Sequence, residues 1–215
     1  MKTAILVGNR TLLSKGIISD LKEKGYETLA FWADVDAEDG KEVNPLCTDS
    51  LFDAAGTVKK TVDLLVVNLY RAFDCPKKNI LDRIDYEALK QAYDYNSLGV
   101  IRAVNAFLPL LEQGNGKRIA IITNRESSNN LTRETGGYGD HVGHAPLNMA
   151  VNQLFNGLRP EGYTFRMYVR EAKDGYDPFA AEYITRNRSN EPESYKHSDE
   201  NRLVLRDSTG CELPW

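Results

Sequence analysis

Short apolar runs alternate with longer amphipathic segments along most of the chain. The apolar runs are nearly continuous, which is typical of strands that are covered on both faces of a parallel sheet. They predict strands at residues 4–7, 28–32, 62–68, 118–123, 164–169 and 203–205.

Three segments between these runs carry apolar residues at helical spacing. They predict helices at residues 12–24, at residues 85–113 with a bend near Gly99, and from near residue 144 to Leu158. Pro146 fits the first turn of the last helix, because the N–H that proline lacks has no partner there.

This alternation of strands and helices predicts an α/β fold. Parallel strands joined by right-handed helical crossovers give a doubly wound sheet with helices on both faces. The expected architecture is therefore a Rossmann-like three-layer sandwich, formed by residues 1–215 as a single domain.

Two segments lack a regular pattern. Residues 125–143 hold glycines, asparagines and few large apolar groups, which indicates a loop. Residues 171–201 are polar and charged, so we interpret them as a lid-like segment that is mobile or partly disordered.

Composition narrows the class of protein. The chain has 215 residues, a formal net charge of −4 and a sequence pI near 5.5. It has no apolar run of about 18 residues to span a membrane and no basic block, so neither a membrane nor nucleic acid is expected as a partner. Three widely spaced cysteines indicate no disulfide framework, which favours a reducing, cytoplasmic location.

Four stretches resemble motifs of one enzyme family. They are the first strand with Gly8 and its following helix, the strand 62–68, the helical segment 95–99 and the ending 207–215, which closes on Pro-Trp. In this order they resemble the short-chain dehydrogenase/reductase family over nearly the whole chain. The resemblance implies an NAD(P)-dependent oxidoreductase.

The motifs that hold the cofactor in this family are altered. Its first turn has three glycines that let the backbone approach a pyrophosphate at a helix N-terminus. Here Gly8 fills the first position, and Leu12 and Ser14 fill the second and third. A leucine there is expected to crowd the pyrophosphate. In the family's Asn-Asn-Ala-Gly motif only Asn68 matches, and Tyr70 replaces the glycine.

Two charged residues are candidates for the adenosine end of a nucleotide. Asp34 follows the second strand, where the family often has an acidic residue on the ribose, and Arg10 is a candidate for the 2′-phosphate of NADP. Each is also interpretable as a solvated loop residue. NAD or NADP is thus implied by the resemblance, and it stays open that the chain binds no cofactor.

The catalytic residues of the family are also replaced. The resemblance places His144 where the family has its general-acid tyrosine and Asn148 where it has the lysine four residues later. Asn124 stands in place of the serine, and only Asn96 keeps the identity of the family's asparagine. A histidine titrates near neutral pH and is a conceivable acid, but Asn148 lacks the charge that would tune it.

Three functions remain open. The leading hypothesis is a degenerate member with weak or lost cofactor binding and catalysis, whose cleft around Asn96, Asn124, Tyr138 and His144 holds a small ligand. The second is an active carbonyl reductase that uses His144 as its acid. The third is a non-catalytic scaffold or regulatory dimer.

Two further expectations concern metals and assembly. His141 and His144 flank a glycine near a proline, so no metal site is expected from their three-residue spacing. In the resembled family the long helix and the helix after His144 pair across a two-fold axis, which implies a homodimer or homotetramer.

Overall fold

The protein is described here from a computed structural model. The structure describes residues 1–34, 40–73, 81, 83–170, 175–186, 199 and 201–215. The predicted lid segment therefore lies mostly outside the described residues.

The described residues form one eight-stranded sheet with helices on both faces. Its strands are β1 (Lys2–Gly8), β2 (Tyr26–Trp32), β3 (Lys41–Glu42), β4 (Leu64–Asn68), β5 (Arg118–Asn124), β6 (Thr164–Arg170), β7 (Leu205–Arg206) and β8 (Glu212–Leu213). The spatial order is β3-β2-β1-β4-β5-β6-β7-β8, and among these described strands only β7 and β8 pair antiparallel. The predicted doubly wound parallel fold is confirmed.

The helices are α1 (Leu12–Glu23), α2 (Thr48–Gly56), α3 (Tyr86–Tyr93), α4 (Gly99–Glu112), α5 (Tyr138–Leu158) and α6 (Pro178–Thr185). The predicted long helix is present as α3 and α4 joined by a π-helical turn at Asp94–Leu98, which puts the irregularity just before Gly99. None of the described helices has the length and apolar character needed to cross a membrane.

Alternate residues of the central strands fill two cores. Ile5 and Val7 face one layer with α4 and α5, whereas Ala4 and Leu6 face the other with α1 and α6. Both sets are almost completely buried, which explains why these strands read as continuous apolar runs.

The predicted start of the last long helix was wrong. The loop expected over residues 125–143 contains a short 3₁₀ turn, and α5 already begins at Tyr138. Gly137, with a φ of 76°, precedes the helix, and Pro146 lies inside it rather than in its first turn. Glycines and a proline signalled a loop, but the packing of Gly143 against Ala92 of α3 stabilises helix at this place.

Sequence patterns also missed short elements at the periphery. Helix α2 and strands β3 and β8 were not predicted because they are short: α2 has nine residues and each of the two strands has two. Helix α6 lies within the segment interpreted as a polar lid, yet its Ala180, Tyr183 and Ile184 are buried against the sheet.

Candidate functional site

The strand order reverses between β1 and β4, so the carboxyl ends of these strands form the switch point where open α/β sheets bind ligands. Gly8 and Asn68 end the two strands and are paired in register. A Cβ atom on residue 8 would lie 2.3 Å from the backbone oxygen of Asn68. The close approach of the two strands therefore requires Gly8, with or without a bound nucleotide.

The backbone N–H groups that follow β1 are used within the protein. The N–H of Asn9 donates to the backbone oxygen of Asn68 at 2.9 Å, and the N–H of Arg10 donates to the carboxylate of Asp34. At the start of α1, the N–H of Ser14 donates to the hydroxyl of Thr11 at 3.1 Å. These donors are thus satisfied by acceptors of the turn itself and of the segments beside it.

Asn9 joins the turn to three neighbouring segments. Its Nδ2 donates to Asp34 Oδ1 at 2.7 Å and to the hydroxyl of Tyr95 at 3.0 Å, and its Oδ1 accepts from the N–H of Tyr70 at 2.8 Å. Both carboxylate oxygens of Asp34 are therefore engaged, one by Asn9 and one by Arg10. Burial raises the pKa of the Tyr95 hydroxyl, which keeps it a neutral partner in this network.

Ser14 and Asn68 form a second buried contact beside the turn. Asn68 Nδ2 donates to Ser14 Oγ at 2.8 Å, and both side chains are buried. Leu12, by contrast, is 58% exposed. Leu12 therefore does not pack into the end of the sheet.

The Tyr70 ring lies beside the cationic side chain of Arg170 and the aromatic side chain of His144. The guanidinium carbon of Arg170 is 3.5 Å from the centre of the Tyr70 ring, and the ring of His144 lies 5.3 Å from it. The Tyr70 hydroxyl donates to Asp140 Oδ1 at 3.4 Å. Burial, and the nearby charge of Glu126, raise the pKa of Asp140.

His144 is buried in the second turn of α5, with 2% of its surface exposed. Its Nδ1 lies 2.8 Å from the backbone oxygen of Asp140. Because a carbonyl oxygen only accepts, we assign the ring proton to Nδ1. Burial lowers the pKa of His144 to about 4, so the imidazole is neutral at physiological pH and its Nε2 carries no proton.

Asn124 and Asn148 both bind the short 3₁₀ turn after β5. Asn124 Oδ1 accepts from the N–H of Ser127 at 3.1 Å, and Asn148 Nδ2 donates to the backbone oxygen of Ser127 at 3.0 Å. Asn148 Oδ1 is buried without a hydrogen-bond partner in the described structure. The two amides therefore hold the turn. Because an amide is uncharged, neither of them places a charge in the cleft.

Asn96 clamps the backbone beyond β4. Its Oδ1 accepts from the N–H of Arg71 at 2.9 Å, and its Nδ2 donates to the oxygen of the same residue at 3.1 Å. Next to it, Ser97 donates to the backbone oxygen of Gly143 at 2.7 Å. The π-helical turn that carries Asn96 is thereby fixed to the segment after β4 and to α5.

The structure brings the predicted cofactor-side residues Gly8, Arg10, Ser14, Asp34 and Asn68 together at one end of the sheet. Among the described residues no cluster of three metal-ligating side chains occurs. Sequence reasoning missed Asn9 and the stacking of Arg170 on Tyr70. The signal available for Asn9 was its place directly after Gly8, at the turn where the family has its phosphate-binding loop.

No family model matches the chain, but comparison with known proteins finds similar sequences. It is 37% identical over 83 residues to C-signal of Myxococcus xanthus, a match that covers 39% of this chain and half of that protein. It is 24% identical over 169 residues to 1-hydroxy-2-glutathionyl-2-methyl-3-butene dehydrogenase of a Rhodococcus strain, covering 75% of this chain and 74% of that enzyme.

Among solved structures, a short-chain dehydrogenase/reductase from Burkholderia multivorans with bound NADP matches all of this chain and 99% of its own, with a TM-score of 0.74 at 15% identity. The fold is therefore that of a Rossmann-like α/β protein. Within that class it is the fold of the short-chain dehydrogenase/reductase family, and the resemblance seen in the sequence is confirmed at the level of the fold.

Proposed function

We propose that this chain is a divergent protein of the short-chain dehydrogenase/reductase type that does not transfer hydride and works as a homo-oligomeric scaffold or regulatory subunit. One observation carries this proposal. At the switch point of the sheet, Asn9, Asp34 and the backbone of Arg10 bind one another, so the groups that would meet a nucleotide already have partners.

The residues present fit NAD or NADP poorly. A pyrophosphate binds where backbone N–H groups at a helix N-terminus are free to donate. In the first turn of α1, the N–H of Ser14 already donates to Thr11. In the turn that leads into the helix, the N–H groups of Asn9 and Arg10 donate to Asn68 and Asp34. The carboxylate of Asp34 also lies against the turn, where its negative charge would repel a phosphate.

The cleft also lacks a tuned proton donor. A general acid must carry its proton at working pH, but His144 is neutral and its Nδ1 proton is bound to the helix backbone. Asn148 has no charge and holds the backbone of Ser127. These contacts argue against the hypothesis of an active reductase that uses His144.

A scaffold needs a surface through which copies meet, and α3 and α5 provide one. Tyr86 and Tyr93 on α3 are seven residues apart, as are Val142 and Met149 on α5, and all four side chains are exposed. Since α3 packs against α5, we propose that the two pairs lie on one apolar face and that this is the face of self-association.

A cytoplasmic location belongs to the same proposal. The thiols of Cys47 and Cys211 are free and exposed. Exposed free thiols persist in reducing compartments and are uncommon in oxidising ones.

Turnover measurements test the loss of catalysis. We expect no oxidation of NADPH or NADH above background with a panel of aldehydes and ketones. The double variant His144→Tyr, Asn148→Lys restores the residue types of the family and should also stay inactive, because the closed turn still excludes the nucleotide. Turnover by the wild-type chain that is lost in His144→Ala would overturn the proposal.

Sedimentation velocity tests the assembly. We expect a dimer or tetramer that dissociates when Met149→Glu or Tyr86→Glu places a charge in the apolar face. Phe52→Glu on α2 is the matched control, since Phe52 is similarly exposed on another surface. A monomeric wild-type chain at all concentrations would contradict the assembly.

A further inference from the structure

The outer edge of β2 is only partly covered by the next strand. β2 pairs with β1 over its whole length, whereas β3 pairs only with Phe31 and Trp32. Along Tyr26–Ala30, no strand of the described structure pairs with the outer edge. The connection from β2 to β3 has eight residues, fewer than the dozen that a parallel crossover usually needs.

The direction of the backbone groups follows from the hydrogen bonds at the end of β2. Trp32 accepts from the N–H of Val43 on the outer side, and the next residue, Ala33, donates to Gly8 on the inner side. Backbone groups alternate between the two sides along a strand. Ala30 and Thr28 therefore face outward like Trp32, and Thr28 lies beyond the reach of β3.

A groove of about 700 Å³ runs along this edge. Its floor contains every residue of the range 27–32. One wall is formed by Ile18 and Lys22 of α1, and the other by residues 57–60, which follow α2. The groove therefore has a strand edge at its base and apolar side chains such as Ile18 and Leu29 beside it.

The groove is positively charged, although the whole chain carries a formal charge of −4. Its lining holds four lysines: Lys22, Lys41, Lys59 and Lys60. Glu27 is the acidic residue of the lining, and it forms an ion pair with Lys60. Lys59 is exposed and donates to the backbone oxygen of Gly56. The excess of lysines favours an anionic occupant.

We propose that the edge of β2 binds an extended acidic segment of a partner protein, which adds to the sheet as a further strand. Strand addition uses the outward N–H and C=O groups of β2 for affinity, and the flanking pockets for specificity. Successive side chains of the added strand point to opposite faces of the sheet, so its acidic side chains would face either Lys22 on one wall or Lys59 and Lys60 on the other. This surface is separate from the α3–α5 face and from the switch point of the sheet.

A second copy of the chain fits this edge poorly. Pairing of two β2 edges would bring Lys22, Lys59 and Lys60 of both copies together, and like charges across a strand pair are destabilising. Lysines beside an open edge are a common way to discourage such pairing. The same lysines leave the edge open to an acidic strand.

Fluorescence anisotropy with labelled peptides tests the proposal. The probe is a peptide of about eight residues that alternates glutamate and valine, the length of an ordinary strand. One control peptide has lysine for each glutamate, and another keeps the glutamates but has prolines, which cannot donate to a strand ladder. We expect the acidic peptide to bind at least about tenfold more tightly than either control, a difference of about 1.4 kcal/mol.

Charge-reversal variants locate the site. We expect the double variant Lys22→Glu, Lys59→Glu to weaken binding by about tenfold or more, whereas Arg125→Glu, beyond β5, has little effect. Amide exchange at Thr28 should slow in the complex. Equal binding of the proline peptide would show attraction of charge alone and overturn strand addition. Either of two results would overturn the proposed occupant. One is that the acidic peptide does not bind, and the other is that the chain self-associates in a way that Lys59→Glu changes.

Discussion

The carboxyl end of β1 and the outer edge of β2 differ in whether their polar groups have partners within the protein. At the end of β1, Asn9, Asp34 and the N–H of Arg10 are bound to one another. At the edge of β2, the backbone of Thr28 faces a groove without a strand beside it in the described structure. The polar groups where this fold usually binds ligands thus have partners within the protein, whereas part of a neighbouring edge has no strand beside it in the described structure.

The features that form the fold can be distinguished from those that would serve a nucleotide. The sheet, its order and its glycine at the end of β1 are retained, because Gly8 is needed for the contact with Asn68. The side chains around that glycine need not serve a nucleotide for the sheet to form. A retained glycine is therefore evidence for the fold rather than for the cofactor.

The largest effect is expected from Gly8→Ala. The new Cβ would meet the backbone of Asn68, which cannot move without shifting β4, so we expect a loss of about 3 kcal/mol in the free energy of unfolding. Gly157→Ala is the control: it lies in α5 with nothing near its Cβ, and should stabilise by up to about 1 kcal/mol. Urea unfolding measures both changes, and equal stabilities would refute the contact.

Asn9→Ala tests the closed turn itself. The change leaves the N–H of Tyr70 and one oxygen of Asp34 without their partner, so we expect a loss of about 2.5 kcal/mol. Asn156→Ala, at an exposed position of α5, should change stability by less than about 0.5 kcal/mol. If Asn9→Ala loses as little stability as Asn156→Ala, the hydrogen bonds of Asn9 contribute little to the free energy of unfolding.

Acid should destabilise the protein through His144. Its pKa is about 4 when folded and near 6.5 when unfolded, so the unfolded state binds the proton more tightly. The free energy of unfolding should be unaffected by this group above pH 7 and fall by about 2 kcal/mol by pH 5, levelling off below pH 4. His144→Gln should remove this part of the pH dependence. An NMR titration of His144 near pH 6.5 would contradict the burial argument.

The smallest effect is expected at the open edge. Thr28→Pro removes an outward N–H that no described strand accepts, so we expect a loss below about 1 kcal/mol and a loss of binding to the acidic peptide. Leu29→Pro removes an N–H that faces β1 and should cost about 3 kcal/mol or more. Similar losses for the two variants, measured by urea unfolding, would show that both edges of β2 are paired.

The fold was predictable where apolar patterns are strong. The buried run that ends at Asn68 and the helical stripe of α1 were placed within a few residues, because burial on both faces of the sheet dictates their composition. The beginning of α5 was not predictable from local signals. There, glycines and Pro146 suggest a loop, whereas the structure has a helix that lies close to α3 at Gly143 and Ala92.

The candidate site was predictable only as a set of positions. The resemblance placed Gly8, Asp34 and Asn68 at the end of the sheet where the structure has them. The partners of these residues depend on tertiary contacts: Asp34 meets Asn9 across 25 residues of sequence, and Asn68 meets Ser14 across 54. No local pattern signals such pairs, and whether these residues serve a cofactor stays a prediction.

Isothermal titration calorimetry with NADPH and NADH tests the closed switch point most directly, because it measures binding apart from turnover. The internal hydrogen bonds of Asn9, Arg10 and Asp34 lead us to expect no binding of either nucleotide by the wild-type chain at concentrations up to millimolar. Saturable binding with a micromolar Kd, weakened in Asp34→Ala, would contradict the claim that this end of the sheet is closed.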